Sequence, residues 1–167
     1  VLISNDPWMF TGHKFDIVTA IPVFVKGRFV GMTGTVSHSI DIGGIKSSSA
    51  SEEVFDEGLQ IPILKYYKAG KLNDDLHEMI RSNVRMQTLV MGDLTAQIAA
   101  CEVGARKLAS FLEEYGLSTL DDLSEAVMDR TETAVRDAIR AMPDGAWSCT
   151  VKLDGIEEPL YVKVAMT

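Results

Sequence analysis

The sequence is poor in cysteine and in basic residues, and it lacks a long hydrophobic run. Cys101 and Cys149 allow one bridge at most, so we exclude a disulfide framework and predict two buried free thiols in a cytoplasmic protein. The 16 Lys and Arg residues are outnumbered by 24 Asp and Glu, and the net charge of −8 argues against a broad nucleic-acid-binding surface. No apolar stretch approaches the roughly 20 residues that span a bilayer, so we expect no membrane segment.

Motifs for nucleotide binding and for serine hydrolysis are also missing. The chain has no Gly-rich loop ending in Lys-Ser or Lys-Thr, no dinucleotide fingerprint and no Gly-x-Ser-x-Gly elbow. Any nucleotide chemistry must therefore come from another chain or domain. The sequence begins at Val1 without an initiator Met and ends at Thr167 within a strand-like alternation, so we expect a fragment of a larger protein.

The first segment, residues 1–51, is predicted to be β-rich. Residues 17–25 are rich in β-branched side chains, and residues 29–36 return as a partner strand after the three-residue turn Lys26-Gly27-Arg28. Pro22 indicates an edge position or a bulge. Clusters of Gly and Ser over residues 37–51 are typical of a loop.

Helices are predicted to dominate the segment 73–142. Asn73 can cap a first helix that ends near Val84, and a second and a third helix are expected over residues 92–115 and 118–142. Gly116 leaves almost no linker, so these two helices should form an antiparallel hairpin. The second helix carries an apolar stripe made of Leu94, Ile98, Cys101, Ala105, Leu108 and Leu112.

The last segment, residues 146–167, has the pattern of a β-hairpin. Residues 146–153 and 160–164 alternate like strands and flank the turn-forming pair Asp154-Gly155. The predicted fold class is therefore α+β, with β-hairpins at both ends and a long helical hairpin inserted between them.

Two of the three histidines lie near an aspartate in the β-rich segment. His13 and Asp16 are three residues apart, and His38 follows in the partner strand. If the strands pair regularly across the three-residue turn, Asp16 lies directly opposite His38, with Cβ atoms about 4.5–5.5 Å apart. His13 has the wrong parity for that face, so the chain must turn near Gly12 to bring it in. A slip of one residue would move His38 to the other face.

This pattern predicts a divalent-metal site. Two imidazoles and one carboxylate suit Mn, Fe or Zn and leave positions open for water or substrate. Asp41 is a candidate fourth ligand, or a partner that orients an imidazole through a hydrogen bond. The alternative is that these side chains only make turn hydrogen bonds or lie in solvent. His77, the third histidine, lies on an acidic helix face and is expected to be solvated.

Three further motifs allow a structural and a functional interpretation. Asn5-Asp6-Pro7 is predicted to form a turn. Glu57 either supplies a carboxylate to a cleft or belongs to the end of a helix. Arg85, after Asn83-Val84, either binds an anion or stabilises a helix C-terminus.

The order of these motifs resembles the hydantoinase B family. The resemblance rests on Asn5-Asp6-Pro7, Gly12-His13-x-x-Asp16, Pro22-Val23-Phe24, His38-x-x-Asp41-Ile42-Gly43-Gly44, Glu57-Gly58-Leu59-x-Ile61-Pro62, Leu72-Asn73, Asn83-Val84-Arg85 and Gly92-Asp93-Leu94-x-Ala96-Gln97. Many relatives have Thr-His-Leu-Pro-Asp and a paired His-His where this chain has Gly12-His13-Lys14-Phe15-Asp16 and Ser37-His38. The types of ligand are kept, but their neighbours differ.

The family includes the B subunit of N-methylhydantoinase, the C-terminal half of ATP-dependent 5-oxoprolinases and the alpha subunit of acetone carboxylase-type enzymes. The resemblance implies a longer cytoplasmic chain in a hetero-oligomer with a hydantoinase A-type subunit or domain that binds ATP. It also implies a metal site at His13, Asp16 and His38, with manganese in the acetone carboxylase branch. The expected activity is hydrolysis of a small cyclic amide. The alternatives are an acetone carboxylase-type ligase and a non-catalytic module that docks subunits.

Overall fold

The computed structural model describes residues 1–45, 50–155 and 157–167. The Ser47–Ser49 cluster of the predicted loop lies outside the described residues. The chain divides into two units, Val1–Leu120 and Asp121–Thr167. None of the helices among the described residues is long and apolar enough to cross a membrane.

The first unit is built on a four-stranded antiparallel sheet. The strands of this unit are β1 (Leu2–Ser4), β2 (Asp16–Val25), β3 (Arg28–His38), β4 (Leu64–Lys65), β5 (Tyr67–Lys68) and β6 (Lys71–Leu72). The long strands β2 and β3 form a hairpin, and the short strands β1 and β4 extend the sheet in the order β3-β2-β1-β4. Strands β5 and β6 form a small separate hairpin.

The turn between β2 and β3 is one residue shorter than the sequence predicted. Val25 pairs with Arg28, so the loop is the pair Lys26-Gly27, whose φ angles of 51° and 80° suit a two-residue hairpin turn. A β-bulge then shifts the register, because Phe24 pairs with Phe29 while Val23 pairs with Gly31. Val30 is therefore the extra residue of the bulge. Beyond it the strands have the predicted register.

The first helix, α1 (Asp74–Asn83), begins as predicted. The side chain of Asn73 accepts a hydrogen bond from the backbone N–H of Leu76 at 3.2 Å, which caps the first turn. His77 on this helix is not simply solvated. Its Nδ1 lies 2.7 Å from the hydroxyl of buried Tyr66, and the two rings stack. Burial raises the pKa of Tyr66 to about 12, with a smaller contribution from Tyr67.

The long helix α2 (Gln87–Glu114) packs across β2 and β3. It begins five residues before the predicted start at Gly92, a glycine that the helix accommodates internally. The predicted stripe faces the sheet: Leu94, Ile98, Cys101 and Leu112 are buried, and Ala105 and Leu108 are partly buried. The main core cluster contains Ile3, Phe15, Ile17, Ile42, Ile61, Tyr66, Leu76, Ile80, Leu94 and Ile98.

The second unit contains the helix α3 (Asp121–Arg140) and the hairpin of β7 (Trp147–Leu153) and β8 (Leu160–Met166). The strands pair in a regular antiparallel register through Val151 and Val162. The predicted α+β class is confirmed. Because α2 and α3 belong to different units, their antiparallel packing stays a prediction. Both cysteines are free thiols, but only Cys101 is buried; Cys149 is exposed on β7.

Candidate metal centre

Asp16 and His38 form the centre of the candidate site. Asp16 begins β2, His38 ends β3, and the two residues are directly paired. His38 Nδ1 lies 3.0 Å from Asp16 Oδ1. In the tautomer that carries its proton on Nε2, the Nδ1 lone pair faces the Asp16 carboxylate, and both atoms are close enough to bind one metal ion.

His13 completes the cluster from outside the strands. Its Nε2 lies 3.7 Å from Asp16 Oδ2, and its ring meets the His38 ring edge-on with centroids 5.4 Å apart. One potential ligand atom from each of His13, Asp16 and His38 lies within 4.8 Å of the others. The structure thus brings together the three side chains that the sequence singled out.

The backbone around Lys14 explains how His13 reaches this face. Gly12 has a φ of 78°, so the chain does turn there. The backbone N–H of Lys14 donates to Glu57 Oε2 at 2.6 Å, and the Lys14 carbonyl accepts from Asn5 Nδ2 at 2.7 Å. Both partners are buried side chains, with 7% of Glu57 and 1% of Asn5 exposed. Two buried polar groups therefore fix the peptide units that follow His13.

Asn5 also connects this segment to residues 59–61 through two further hydrogen bonds. Its Nδ2 donates to the Leu59 carbonyl at 2.9 Å, and its Oδ1 accepts from the Ile61 N–H at 2.6 Å. The predicted turn at Asn5-Asp6-Pro7 is real, since Asp6 Oδ1 accepts from the Trp8 N–H. Glu57 is the last residue of a short 3-10 helix, Val54–Glu57, which confirms the helix-end interpretation. The positioning roles of Asn5 and Glu57 towards Lys14 were missed. Their only signal in the sequence was the presence of polar side chains within short motifs.

Phe15 supplies a wall behind His38. It is 3% exposed, and its ring stacks on the imidazole with an interplanar angle of 11° and a centroid distance of 5.3 Å. The stacking and the Asp16 hydrogen bond together limit rotation of the His38 side chain. Side-chain exposure is 30% for His13, 18% for Asp16 and 62% for His38, so solvent or a small molecule can reach the cluster.

The donor set fits a divalent metal ion. Nδ1 of His13 is buried and has no hydrogen-bond partner among the described residues. Leaving such an atom unpaired costs about 1–3 kcal/mol, and the other ring nitrogen, Nε2, faces the Asp16 carboxylate. Two imidazoles and a carboxylate are borderline ligands suited to Mn, Fe or Zn.

Asp41 does not join this cluster. Its carboxylate accepts hydrogen bonds from the backbone N–H groups of Arg85 and Met86, immediately before α2, and from the Gly43 N–H. The Arg85 guanidinium adds an ion pair at 2.8 Å. These contacts occupy both carboxylate oxygens and hold Asp41 against the residues just before α2, outside the cluster of His13, Asp16 and His38.

The pKa of Asp41 reflects this environment. Burial by itself disfavours the ionised form, but the hydrogen bonds from Gly43, Arg85 and Met86 and the charge of Arg85 outweigh it. The pKa of Asp41 is therefore lowered. Arg85 acts from one residue before the helix cap, with its guanidinium also donating to the carbonyls of Gly43 and Gly44. The structure thus gives Arg85 a third role, beside the two that the sequence left open, in holding Asp41 and its neighbours in place.

Comparison with known proteins decides the family. The model of the Hydantoinase B/oxoprolinase family matches residues 1–167. The chain belongs to this family. It is similar to the B component of a putative D-/L-hydantoinase of Pseudomonas sp. (strain NS671), with 36% identity over 159 residues that cover 93% of this chain and 27% of the relative.

Two solved structures share the fold of this family member. The crystal structure of an ATP-dependent caprolactamase from Pseudomonas jessenii has a TM-score of 0.77 and 32% identity, covering 92% of this chain and 27% of that chain. A nucleotide-free acetone carboxylase structure has a TM-score of 0.75 and 24% identity, and the match covers 90% of this chain and 20% of the acetone carboxylase chain. The second likeness shows the fold alone. The chain spans about a quarter of the hydantoinase component and of the caprolactamase chain.

Proposed function

We propose that this chain provides the metal centre of an ATP-dependent hydrolase that opens small cyclic amides. The observation that carries the proposal is the convergence of ligand atoms from His13, Asp16 and His38 within 4.8 Å. The relatives named for hydantoinase and caprolactamase activity are 36% and 32% identical to this chain, whereas the alpha subunit of an acetone carboxylase is 28% identical. Hydrolysis is therefore favoured over carboxylation.

His13, Asp16 and His38 would hold the ion, for which we propose manganese, with zinc or iron as the other metals that suit these ligands. When bound, such an ion polarises a carbonyl or lowers the pKa of a water molecule towards about 7. Asp16 and the Nδ1 atom of His38 face each other at 3.0 Å and would bind the ion together. Phe15 keeps that imidazole in place, and the exposure of His38 leaves room for a substrate.

The proposed site of ATP binding lies on a partner subunit or domain. The sequence of this chain has no phosphate-binding loop. The related hydantoinase protein is named as a subunit, and the related caprolactamase is named as ATP-dependent. We propose a hydantoinase A-type subunit or domain as the place where ATP is bound and spent. The metal-binding chain would then hold the amide while the partner supplies the driving force.

The test is reconstitution of the full-length protein with its hydantoinase A-type partner. ATP hydrolysis and ring opening are measured together with hydantoin, 5-oxoproline and caprolactam as substrates. We expect coupled turnover of at least one amide, lost in His13→Ala and His38→Ala and kept in His77→Ala, which removes a histidine elsewhere. Bicarbonate-dependent carboxylation of acetone without amide hydrolysis would contradict the proposal in favour of the ligase. If the protein binds its partner but contains no metal and turns over no substrate, the proposal is wrong and the chain is a module that docks subunits.

A further inference from the structure

Lys14 carries a positive charge that is buried away from the metal centre. The residue is 1% exposed, and lysine is almost never fully buried without a partner for its charge. Its Nζ donates to the Gly58 carbonyl at 3.1 Å and lies 5.2 Å from the centroid of the Phe55 ring. Among the described residues, it forms no ion pair with a carboxylate. An ammonium group has three donors, so this one has capacity for a further acceptor.

A cavity of about 420 Å³ lies beside this side chain. Lys14 is the one charged residue among the described residues that line it. Ile42, Phe55 and Leu59 give it apolar walls, and Gly43 and Gly58 bring the backbone close. Gln60 and Asn83 add neutral amide side chains, so the cavity combines a single cation with apolar and neutral polar walls.

This combination selects a class of ligand. A phosphate group is usually held by several donors, such as an Arg fork or a row of backbone N–H groups, whereas one ammonium matches the single charge of a carboxylate. The apolar walls match a short hydrocarbon part. We propose that this cavity binds a small aliphatic carboxylate, with its charge on Lys14 and its hydrocarbon part between Ile42, Phe55 and Leu59.

The carboxylate site is independent of the proposed metal chemistry. None of His13, Asp16 and His38 lines the cavity. The link between the two sites is the backbone of Lys14, which follows His13 directly. A carboxylate held at Nζ would neutralise a buried charge, so its binding should stabilise the folded state in proportion to its occupancy.

The test is a titration of the full-length protein with butyrate. Ile42 lines the cavity, and the signal of its δ1 methyl group reports binding in a methyl-labelled sample. Sodium chloride at matched ionic strength is the reference, and inorganic phosphate is the second probe. We expect a saturable shift of the Ile42 signal with butyrate, a rise in Tm over the same range, and at least tenfold weaker binding in Lys14→Met. Lys68→Met, which removes an exposed lysine from β5, should bind butyrate like the wild type.

Two further variants keep the outcome decisive. Phe55→Ala removes a wall whose side chain is 72% exposed, so it should fold normally and bind butyrate several-fold more weakly. The double variant His13→Ala/His38→Ala should still bind butyrate, so a failure of the metal proposal leaves this one standing. A wild-type Ile42 signal that responds no more to butyrate than to chloride overturns the proposal. So does saturable binding of phosphate without binding of butyrate, or unchanged affinity in Lys14→Met.

Discussion

Asp16 and His38 are directly paired at the open ends of β2 and β3, and the bulge at Val30 sets this pairing. From Val25 and Arg28 at the turn, a regular ladder would place Asp16 opposite Ser37 and turn His38 to the face covered by α2. The extra residue moves the register by one position and returns His38 to the Asp16 face. The candidate metal site therefore depends on the register of β3, in which the bulge offsets the two-residue turn.

Two single-residue deletions in β3 test this dependence. Deleting Val30 removes the bulge residue itself and keeps Asp16 opposite His38, so we expect metal binding to survive. Deleting Val36, which lies between the bulge and His38, moves His38 to the other face and should abolish metal binding. Each variant loses one valine, which makes them a matched pair. Metal content and far-UV circular dichroism of the full-length proteins give the answer. Metal loss in a folded Val30 deletion would contradict the role assigned to the register.

Asp41→Asn is expected to lower stability without removing the metal. The amide can keep only part of the acceptor role towards Arg85, Met86 and Gly43, and it loses the ion pair with the Arg85 guanidinium. The expected cost is about 1–3 kcal/mol, measured by urea unfolding. Glu78→Gln, which disrupts an exposed ion pair with Arg81 on α1, should cost much less. Loss of metal in folded Asp41→Asn would restore Asp41 as a ligand.

The lowered pKa of Asp41 gives a defined pH dependence. Its folded-state pKa lies below that of the unfolded chain, so the unfolded state binds the proton first as the pH falls. The stabilisation from Asp41 is fully present above the unfolded pKa and disappears as the pH falls below about 4 through the folded pKa. Chemical denaturation between pH 7 and pH 3 should therefore give a shallower loss of stability for Asp41→Asn than for the wild type. If stability falls equally with pH in the wild type and in Asp41→Asn, Asp41 does not contribute to the pH dependence of stability.

Glu57 is expected to act on the metal through the backbone. Glu57→Ala frees the N–H of Lys14 and loosens the segment that presents His13, so metal affinity should fall about 10–100-fold. Glu57→Gln keeps an oxygen that can accept from the Lys14 N–H, so it should retain most of the metal affinity. If Glu57 acted only through its charge, Glu57→Gln would lose as much metal affinity as Glu57→Ala. Competition with a chelator of known affinity measures the difference. Equal affinities for Glu57→Ala and the wild type would remove Glu57 from the site.

The elements with strong local patterns were predictable from the sequence. The β-branched run that forms β2, the cap at Asn73 and the apolar stripe of α2 depend on neighbours along the chain, and the structure contains all three. The opposed positions of Asp16 and His38 were also predicted. In the structure they result from two features that the sequence did not predict, a two-residue turn and a bulge, whose effects on the register cancel. The turn is shorter than expected because Lys26 adopts a positive φ, which is uncommon outside glycine, and the bulge then offsets the difference.

The features that were missed depend on contacts distant in sequence. Asp41 reaches the start of α2 across 44 residues, so neither its role nor the early start of that helix could be read locally. Glu57 holds the backbone of Lys14 across 43 residues. The burial of the Lys14 side chain and of Tyr66, which engages His77, likewise follows from how segments pack. Periodicity and spacing carry no information on these partners.

The central claim is that His13, Asp16 and His38 hold a metal ion, and metal content tests it most directly. Full-length protein purified without chelator is analysed by inductively coupled plasma mass spectrometry, beside His13→Ala, His38→Ala and the control His77→Ala. We predict roughly one equivalent of Mn, Zn or Fe in the wild type and the control. Each of the two site variants should lose nearly all of it while remaining folded. A wild-type protein without stoichiometric metal after Mn loading, or equal metal in folded His13→Ala and His38→Ala, would contradict the account.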